Sequence, residues 1–517
     1  MNSSTSNTQN FKRLHTPHST LHTLHSPLRP LLIAGTGSDV GKSVIAAAIC
    51  RILVQDGYHP APFKAQNMAL NSFATPDGLE IGRAQAVQAE ACRLAPHTDM
   101  NPLLLKPNTD CTTQVVLNGS PIGNRSAYEY FRKEGREELR QQVHAAYDRL
   151  SARYNPIVME GAGSISELNL MDTDLVNMPM ARYADADVIL VADIDRGGVF
   201  ASCYGSIMLQ TPDDRRRIKG IIINKFRGDI RLFEDGRKMI EELCGVPVLG
   251  VVPMFRDIAI DEEDSVQLQQ KHRSAVEGKI NVAVVLLRHM SNFTDFSPLE
   301  RDSRINLFYT DRPDDMEQAD IIILPGTKST LDDLYLLRRN GMAQAIIKAH
   351  ASGKTVIGIC GGYQMMGTTV SDPDGIEGGC ECMPGLGLIA MHTTMKAEKT
   401  TRQVEFTFNG ARCKGYEIHQ GVSTATEQVT MEGNCIGTYI HGFFDNPAVV
   451  EFLIGKIGAM GHISPISPIS PISPISPITP IAQIDAFKDK QYDLLADHLR
   501  RHIDMDRLYE IMTRSDD

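Results

Sequence analysis

The chain has 517 residues, and its 52 Lys and Arg against 63 Asp and Glu leave a formal net charge of −11. With 42% apolar and 22% charged residues it has the composition of a soluble globular protein, long enough for two or three cores. The acidic balance excludes a general nucleic-acid binder, the lack of any run of about 18 apolar residues excludes a membrane span, and 6% aromatics without Trp exclude a base-stacking platform.

Residues 1–29 are rich in Ser, Thr, His and Pro and lack acidic residues and an apolar h-region. They read as a disordered tail with weak transit-peptide character, and His15, His18, His22 and His25 there are at most adventitious metal ligands. From Pro30 short apolar runs, LLIAG, PIVMEG, DVILVADID, IKGIIINKF and VPVLGVVP, alternate with helical stretches. That alternation predicts an α/β domain over 30–260, doubly wound about a parallel sheet. The charged stretch 261–279 reads as an interdomain linker. A second alternating set, INVAVVLLR, ADIIILPGT, KTVIGICGG and CIGTYIHGFF, predicts a second doubly wound α/β domain over 280–517. Within it, 463–481 repeats Ile-Ser-Pro with a period of three, which forbids helix and reads as an extended surface insertion. The helical ending after the repeat is assigned to this second domain. The ten cysteines are scattered, as in reduced thiols of a cytoplasmic protein. Cys380, Cys382, Cys413 and Cys435 lack the two CxxC pairs of a zinc ribbon.

The first chemically loaded segment is Gly35-Thr36-Gly37-Ser38-Asp39-Val40-Gly41-Lys42-Ser43, between a strand and the helix SVIAAAICRIL. Its glycines let backbone N–H groups surround phosphate oxygens, and the helix N-terminus adds a favourable dipole. Lys42 is placed to neutralise the outer phosphates of ATP, and the Ser43 hydroxyl to ligate Mg²⁺. Five residues separate Gly35 from Gly41, one more than in the common phosphate loop. This variant resembles the dethiobiotin synthetase branch of phosphate-loop enzymes, in which ATP activates a carboxylate or carbamate. The resemblance implies Mg²⁺ contacts at Glu160 and Glu80 and a nucleotide-base contact at Asn224. For Glu80 a solvated helix-start carboxylate is the competing account, and Asp193 and Asp195 serve either the same crevice or as strand-end caps.

The second loaded segment is Val356-Ile357-Gly358-Ile359-Cys360-Gly361-Gly362-Tyr363-Gln364, an apolar strand entering a Gly-flanked Cys and a helix. That is a nucleophile elbow, with Cys360 attacking the side-chain amide of glutamine. The N–H of Gly361 and the loop Pro325-Gly326-Thr327-Lys328, Gly326 above all, are the candidate oxyanion hole. His441, at another strand end in GTYIHGFF, is the base. The pairing resembles the class I glutamine amidotransferase domain. Most of that class has a Glu two residues after the His, where this chain has Phe443, a departure shared by the cobyrinate-type branch. What orients His441 stays open, and Glu417 and His419 are further candidates of uncertain role.

The longer segments PFKAQNMALNS (62–72), EIGRAQ (80–85), NPLLLKP (101–107) and SNFTDF (291–296) resemble the cobyric acid synthase family over nearly all of 30–515. The resemblance implies amidation of the b, d, e and g carboxylates of adenosylcobyrinic acid a,c-diamide, with glutamine and ATP-Mg²⁺ consumed at each. It also implies that Lys64, Gln66, Asn67 and Asn71 face the nucleotide or the corrinoid carboxylate. The expected partners are glutamine and a corrinoid polycarboxylate, with no nucleic acid and no membrane, and self-association is possible. The competing enzymes are a cobyrinic acid a,c-diamide synthase and an amidotransferase of cell-wall precursor. A partitioning-type ATPase is the non-enzymatic alternative, and it leaves Cys360 and His441 without a role.

Overall fold

The computed structural model describes residues 26–108, 112–130, 135–255, 258–260, 274–377, 380–459 and 480–513. The histidine-rich tail to residue 25, most of the linker and the repeat up to residue 479 lie outside the described residues.

The first domain is built on six parallel strands, in the order Val248–Pro253, Ile218–Phe226, Asp187–Asp193, Leu31–Gly35, Ile157–Glu160, Ala61–Phe63. The apolar runs read from sequence are these strands. They are apolar on both faces because both are covered: Leu31 and Ile33 enter one core, Leu32 and Ala34 the other. The second domain has a six-stranded sheet in the order Ile305–Thr310, Ile280–Val285, Ile321–Leu324, Thr355–Ile359, Cys435–Thr438, Val429–Glu432, parallel except for the last strand. Beside it stands a mixed five-stranded sheet whose long hairpin, His392–Phe408 and Ala411–Ser423, crosses to the first domain. There Tyr416 packs on Phe73 with ring centroids 4.8 Å apart, and its hydroxyl donates to the Ser72 carbonyl.

One boundary is corrected. The helices Pro480–His502 and Met505–Thr513 complete the first domain, not the second. Leu495, Ala496 and Leu499 share a core with Ile45 and Ile49 of the helix Lys42–Gln55. The fully buried Arg51 pairs with Asp489 at 2.6 Å and Asp493 at 2.8 Å. A buried guanidinium left unpaired is costly, so these carboxylates fix where the chain must return. Among the described residues no helix is long and apolar enough to cross a membrane.

Candidate functional site

The first-domain strands end together, and the chain changes sides of the sheet around Leu31–Gly35, which is where open α/β sheets bind ligands. The loop after that strand is drawn inward by Lys42, whose Nζ donates to the carbonyl oxygens of Gly37 at 2.8 Å and Gly163 at 3.0 Å. Gly41 has φ +98°, and a Cβ there would lie 2.2 Å from Asn224 Nδ2, so only glycine fits. Asn224 Nδ2 donates to the Val40 carbonyl at 2.9 Å, while its buried Oδ1 has no hydrogen-bond partner among the described residues. A buried unpartnered acceptor beside a phosphate loop suits the exocyclic amine of a nucleotide base. Asp193 pairs with Lys225 at 3.1 Å and Asp195 with Arg227 at 2.6 Å, as strand-end anchors. Lys225 also donates to the Asp39 carbonyl.

Glu160, buried at its strand end, is the hub of this site. Its Oε1 accepts from Ser43 Oγ at 2.7 Å and Lys64 Nζ at 2.8 Å, and its Oε2 from Gln88 Nε2 at 2.6 Å. Burial pushes its carboxyl up, but the Lys64 charge and the bonds from Lys64, Ser43 and Gln88 outweigh that and hold it ionised. Ser43 and Glu160 thus offer a hydroxyl and a carboxylate to one point, a donor set suited to a hard divalent cation that keeps waters and phosphate oxygens as further ligands. Among the described residues there is no cluster of three or more His, Cys, Asp or Glu side chains able to hold a metal.

The remaining first-domain candidates divide. Asn67 Nδ2 donates to Gln85 Oε1 at 3.0 Å, one side chain away from Glu160, and Gln66 accepts from the Tyr130 hydroxyl at 2.6 Å. Asn71 lies at the domain junction, where its Oδ1 accepts from Phe293 N at 3.2 Å. Glu80 is neither a solvated glutamate nor joined to Ser43 and Glu160. It is buried, and its two oxygens are taken by Lys106 at 2.7 Å and by Lys399 of the second domain. Burial opposes its charge, but the two ammonium groups hold its carboxyl far below the usual range. The solvated account of Glu80 does not hold, because both of its carboxylate oxygens are buried and paired.

In the second domain Cys360 has φ +51° and ψ −110°, the strained geometry of an elbow. Its N–H is held by the Thr438 carbonyl at 2.8 Å, and its Sγ lies 3.5 Å from the Ile418 carbonyl. No side chain fits after it, since a Cβ on Gly362 would meet the Leu324 carbonyl at 2.0 Å. His441, fully buried, lies within electrostatic reach of the Cys360 sulfur on one side. On the other its Nδ1 lies 2.7 Å from Asp295 Oδ2, and Asp295 Oδ1 accepts from Gly442 N at 3.0 Å. Burial opposes a charged imidazole, but Asp295 and the Cys360 contact overcome it and raise His441 to about 10. Gly326 lies against the imidazole, where a Cβ would be 3.2 Å from Cε1, and its carbonyl accepts from Ser291 N at 2.8 Å. Glu417 instead pairs with Arg402 at 2.8 Å and faces His419. Asp295 thus fills the position that Phe443 leaves empty. The signal available beforehand was the segment SNFTDF, whose acidic residue carried no indication of its partner.

A phosphate loop beside a buried carboxylate, fused to a Cys–His–Asp site on a second α/β domain, defines a glutamine-hydrolysing ligase. Residues 31–268 match the CobQ/CobB/MinD/ParA nucleotide binding domain, and residues 281–449 the CobB/CobQ-like glutamine amidotransferase domain. The chain is 62% identical over 507 residues to a cobyric acid synthase of Bacteroides fragilis, covering 95% of this chain and 99% of that one. It is 54% identical to one from Parabacteroides distasonis, with 93% and 98% covered, and 45% identical to one from Salmonella agona, with 93% and 98% covered. The chain belongs to the cobyric acid synthase family, the amidating ligases of cobalamin biosynthesis.

Proposed function

We propose that this enzyme converts the b, d, e and g carboxylates of adenosylcobyrinic acid a,c-diamide to amides, spending one ATP and one glutamine on each. The observation that supports this reading is the presence in one chain of the Ser43–Glu160–Lys64 cluster and the Cys360–His441–Asp295 triad.

In the first domain a substrate carboxylate attacks the γ-phosphorus of ATP, giving an acyl phosphate and ADP. Lys42 and Lys64 balance the charge at the phosphates. A magnesium ion held by Ser43 and Glu160 would supply further charge neutralisation there. Asn224 receives the base, and Gln66 and Asn67 line the approach to Lys64. In the second domain the Cys360 thiolate attacks the amide carbon of glutamine. The oxyanion is met by the N–H groups of Gly361 and Gly326, and His441 protonates the amide nitrogen as its C–N bond breaks, so that it leaves as neutral ammonia. Water then releases glutamate from the thioester. Ammonia displaces phosphate from the acyl phosphate and leaves the amide. The described cysteines are free thiols, which fits a reducing compartment, and we place the enzyme in the cytoplasm.

The direct test is mass spectrometry of the corrinoid product. Starting from the a,c-diamide, four further amides are expected. Amidation of the a and c positions of cobyrinic acid in their place would mark the earlier enzyme of the same chemistry. Glu160→Gln removes the hub charge. Its expected effect is a fall of about 100-fold in amide synthesis from either glutamine or ammonium, with glutamine hydrolysis retained. Parallel assays of ADP, glutamate and corrinoid amide read all three.

A further inference from the structure

The ladder of the long second-domain hairpin breaks between Met395 and Thr400, and Lys399 sits in that break. Its Nζ leaves its own domain and donates to Glu80 Oε2. The other oxygen of Glu80 accepts from Lys106, which also donates to Ser72 Oγ at 2.8 Å. Lys106 and Glu80 are buried, and the Lys399 side chain is 7% exposed. A buried ammonium of one domain answered by a carboxylate of the other forms this contact only with the domains docked.

Each end of the contact leads to a reactive centre. On the second-domain side, Thr401 pairs with Ile418, whose carbonyl lies 3.5 Å from Cys360 Sγ, and Lys399 is within electrostatic reach of that sulfur. On the first-domain side, the strand Glu80–Gly82 runs straight into the helix Arg83–Ala91. Gln85 and Gln88 of that helix hold Glu160, and Glu160 holds Ser43 and Lys64. Lys328, the last residue of the candidate oxyanion loop, adds a parallel cross-domain bond to Gln114 at 3.1 Å.

We propose that Lys399, acting through Glu80, is a positioning residue that couples the glutaminase to the phosphate site, so that glutamine is opened in step with carboxylate activation. The coupling rests on the amidation reading above. It gives Glu80 an interdomain task, carried by Oε2, while Oε1 is held within the first domain by Lys106.

Lys399→Met leaves Glu80 paired with Lys106, so no buried charge is orphaned. In the full-length enzyme with ATP and the a,c-diamide corrinoid, glutamate released and amide formed are counted together. Wild type is expected to release a single glutamate per amide. Lys399→Met is expected to raise that ratio about 5-fold or more, while amidation driven by ammonium chloride stays within about twofold of wild type. Lys399→Arg, which keeps the charge, is expected to restore the ratio to within about twofold. An unchanged ratio in Lys399→Met overturns the coupling, as does an equal loss of ammonium-driven and glutamine-driven synthesis. A wild type that hydrolyses glutamine yet amidates no corrinoid carboxylate overturns the amidation reading itself, and the coupling with it.

Discussion

Cys360→Ala is expected to abolish glutamine-dependent amidation, by about 10³-fold or more, while amidation from ammonium salts stays within about twofold of wild type. The asymmetry follows from the division of labour. The sulfur lies 3.5 Å from the Ile418 carbonyl and within electrostatic reach of His441, both in the second domain, so its loss is expected to remove the nitrogen source alone. The elbow backbone is held independently of the side chain, by Thr438 on one side and by the close approach of Gly362 to Leu324 on the other. The fold of the variant is therefore expected to persist, with an unchanged melting temperature as its control. Glutamate release and corrinoid amide, measured with each nitrogen source, check the result. Normal glutamine use by Cys360→Ala would show that another group is the nucleophile.

Both reactive loops are legible in the sequence because each is local. A buried parallel strand, a glycine turn and a helix N-terminus are contiguous at Gly35–Ser43 and again at Ile357–Gln364, and the residue types that chemistry requires sit at the turn. His441 is legible for the same reason, as a polar residue ending an apolar strand. What joins separate segments is not legible. Asp295 reaches His441 across 146 residues, Lys399 reaches Glu80 across 319, and Asp493 reaches Arg51 across 442. No periodicity links such pairs, because each is chosen by the cost of burying a charge without its partner, a property of the packed molecule. The same cost explains the corrected domain boundary. The last helices read as a continuation of the preceding domain, but Asp489, Asp493 and the apolar Leu495–Leu499 stripe fit only the helix that carries Arg51.

Analogy likewise places Glu80 with the metal, because sequence reports a carboxylate near a phosphate loop and nothing of the two lysines that claim it. Lys106 lies on a strand of a separate sheet, Leu103–Pro107, and Lys399 in the other domain. Glu80 has both oxygens held by ammonium groups, whereas Glu160 shares one oxygen between the Lys64 ammonium and a hydroxyl that is itself a metal ligand by type. The two glutamates therefore sit in electrostatically different surroundings.

Asp295→Asn is expected to lower glutamine hydrolysis by about 10²–10⁴-fold, since exchanging the acid that orients a catalytic imidazole for its amide leaves the shape and removes the charge. Ammonium-driven amidation is expected to hold within about twofold. The pH dependence separates this from a packing defect. Burial alone lowers the imidazole, and the Asp295 carboxylate is the main force keeping it protonated to about pH 10. With that charge gone, the His441 proton is lost at lower pH. The alkaline limb of glutamine hydrolysis therefore moves downward, and the residual activity is highest on the acid side. In wild type the sign is opposite: His441 stays charged through neutrality and gives up its proton only as pH nears 10. A stability consequence follows with the same sign. The raised imidazole stabilises the folded protein fully below its ordinary value of about 6.5, and that stabilisation is lost as pH rises toward 10. Asp295→Asn is thus expected to narrow the melting-temperature gap to wild type as the buffer becomes alkaline. A variant with the wild-type pH profile and only a uniform loss of rate would remove Asp295 from the triad.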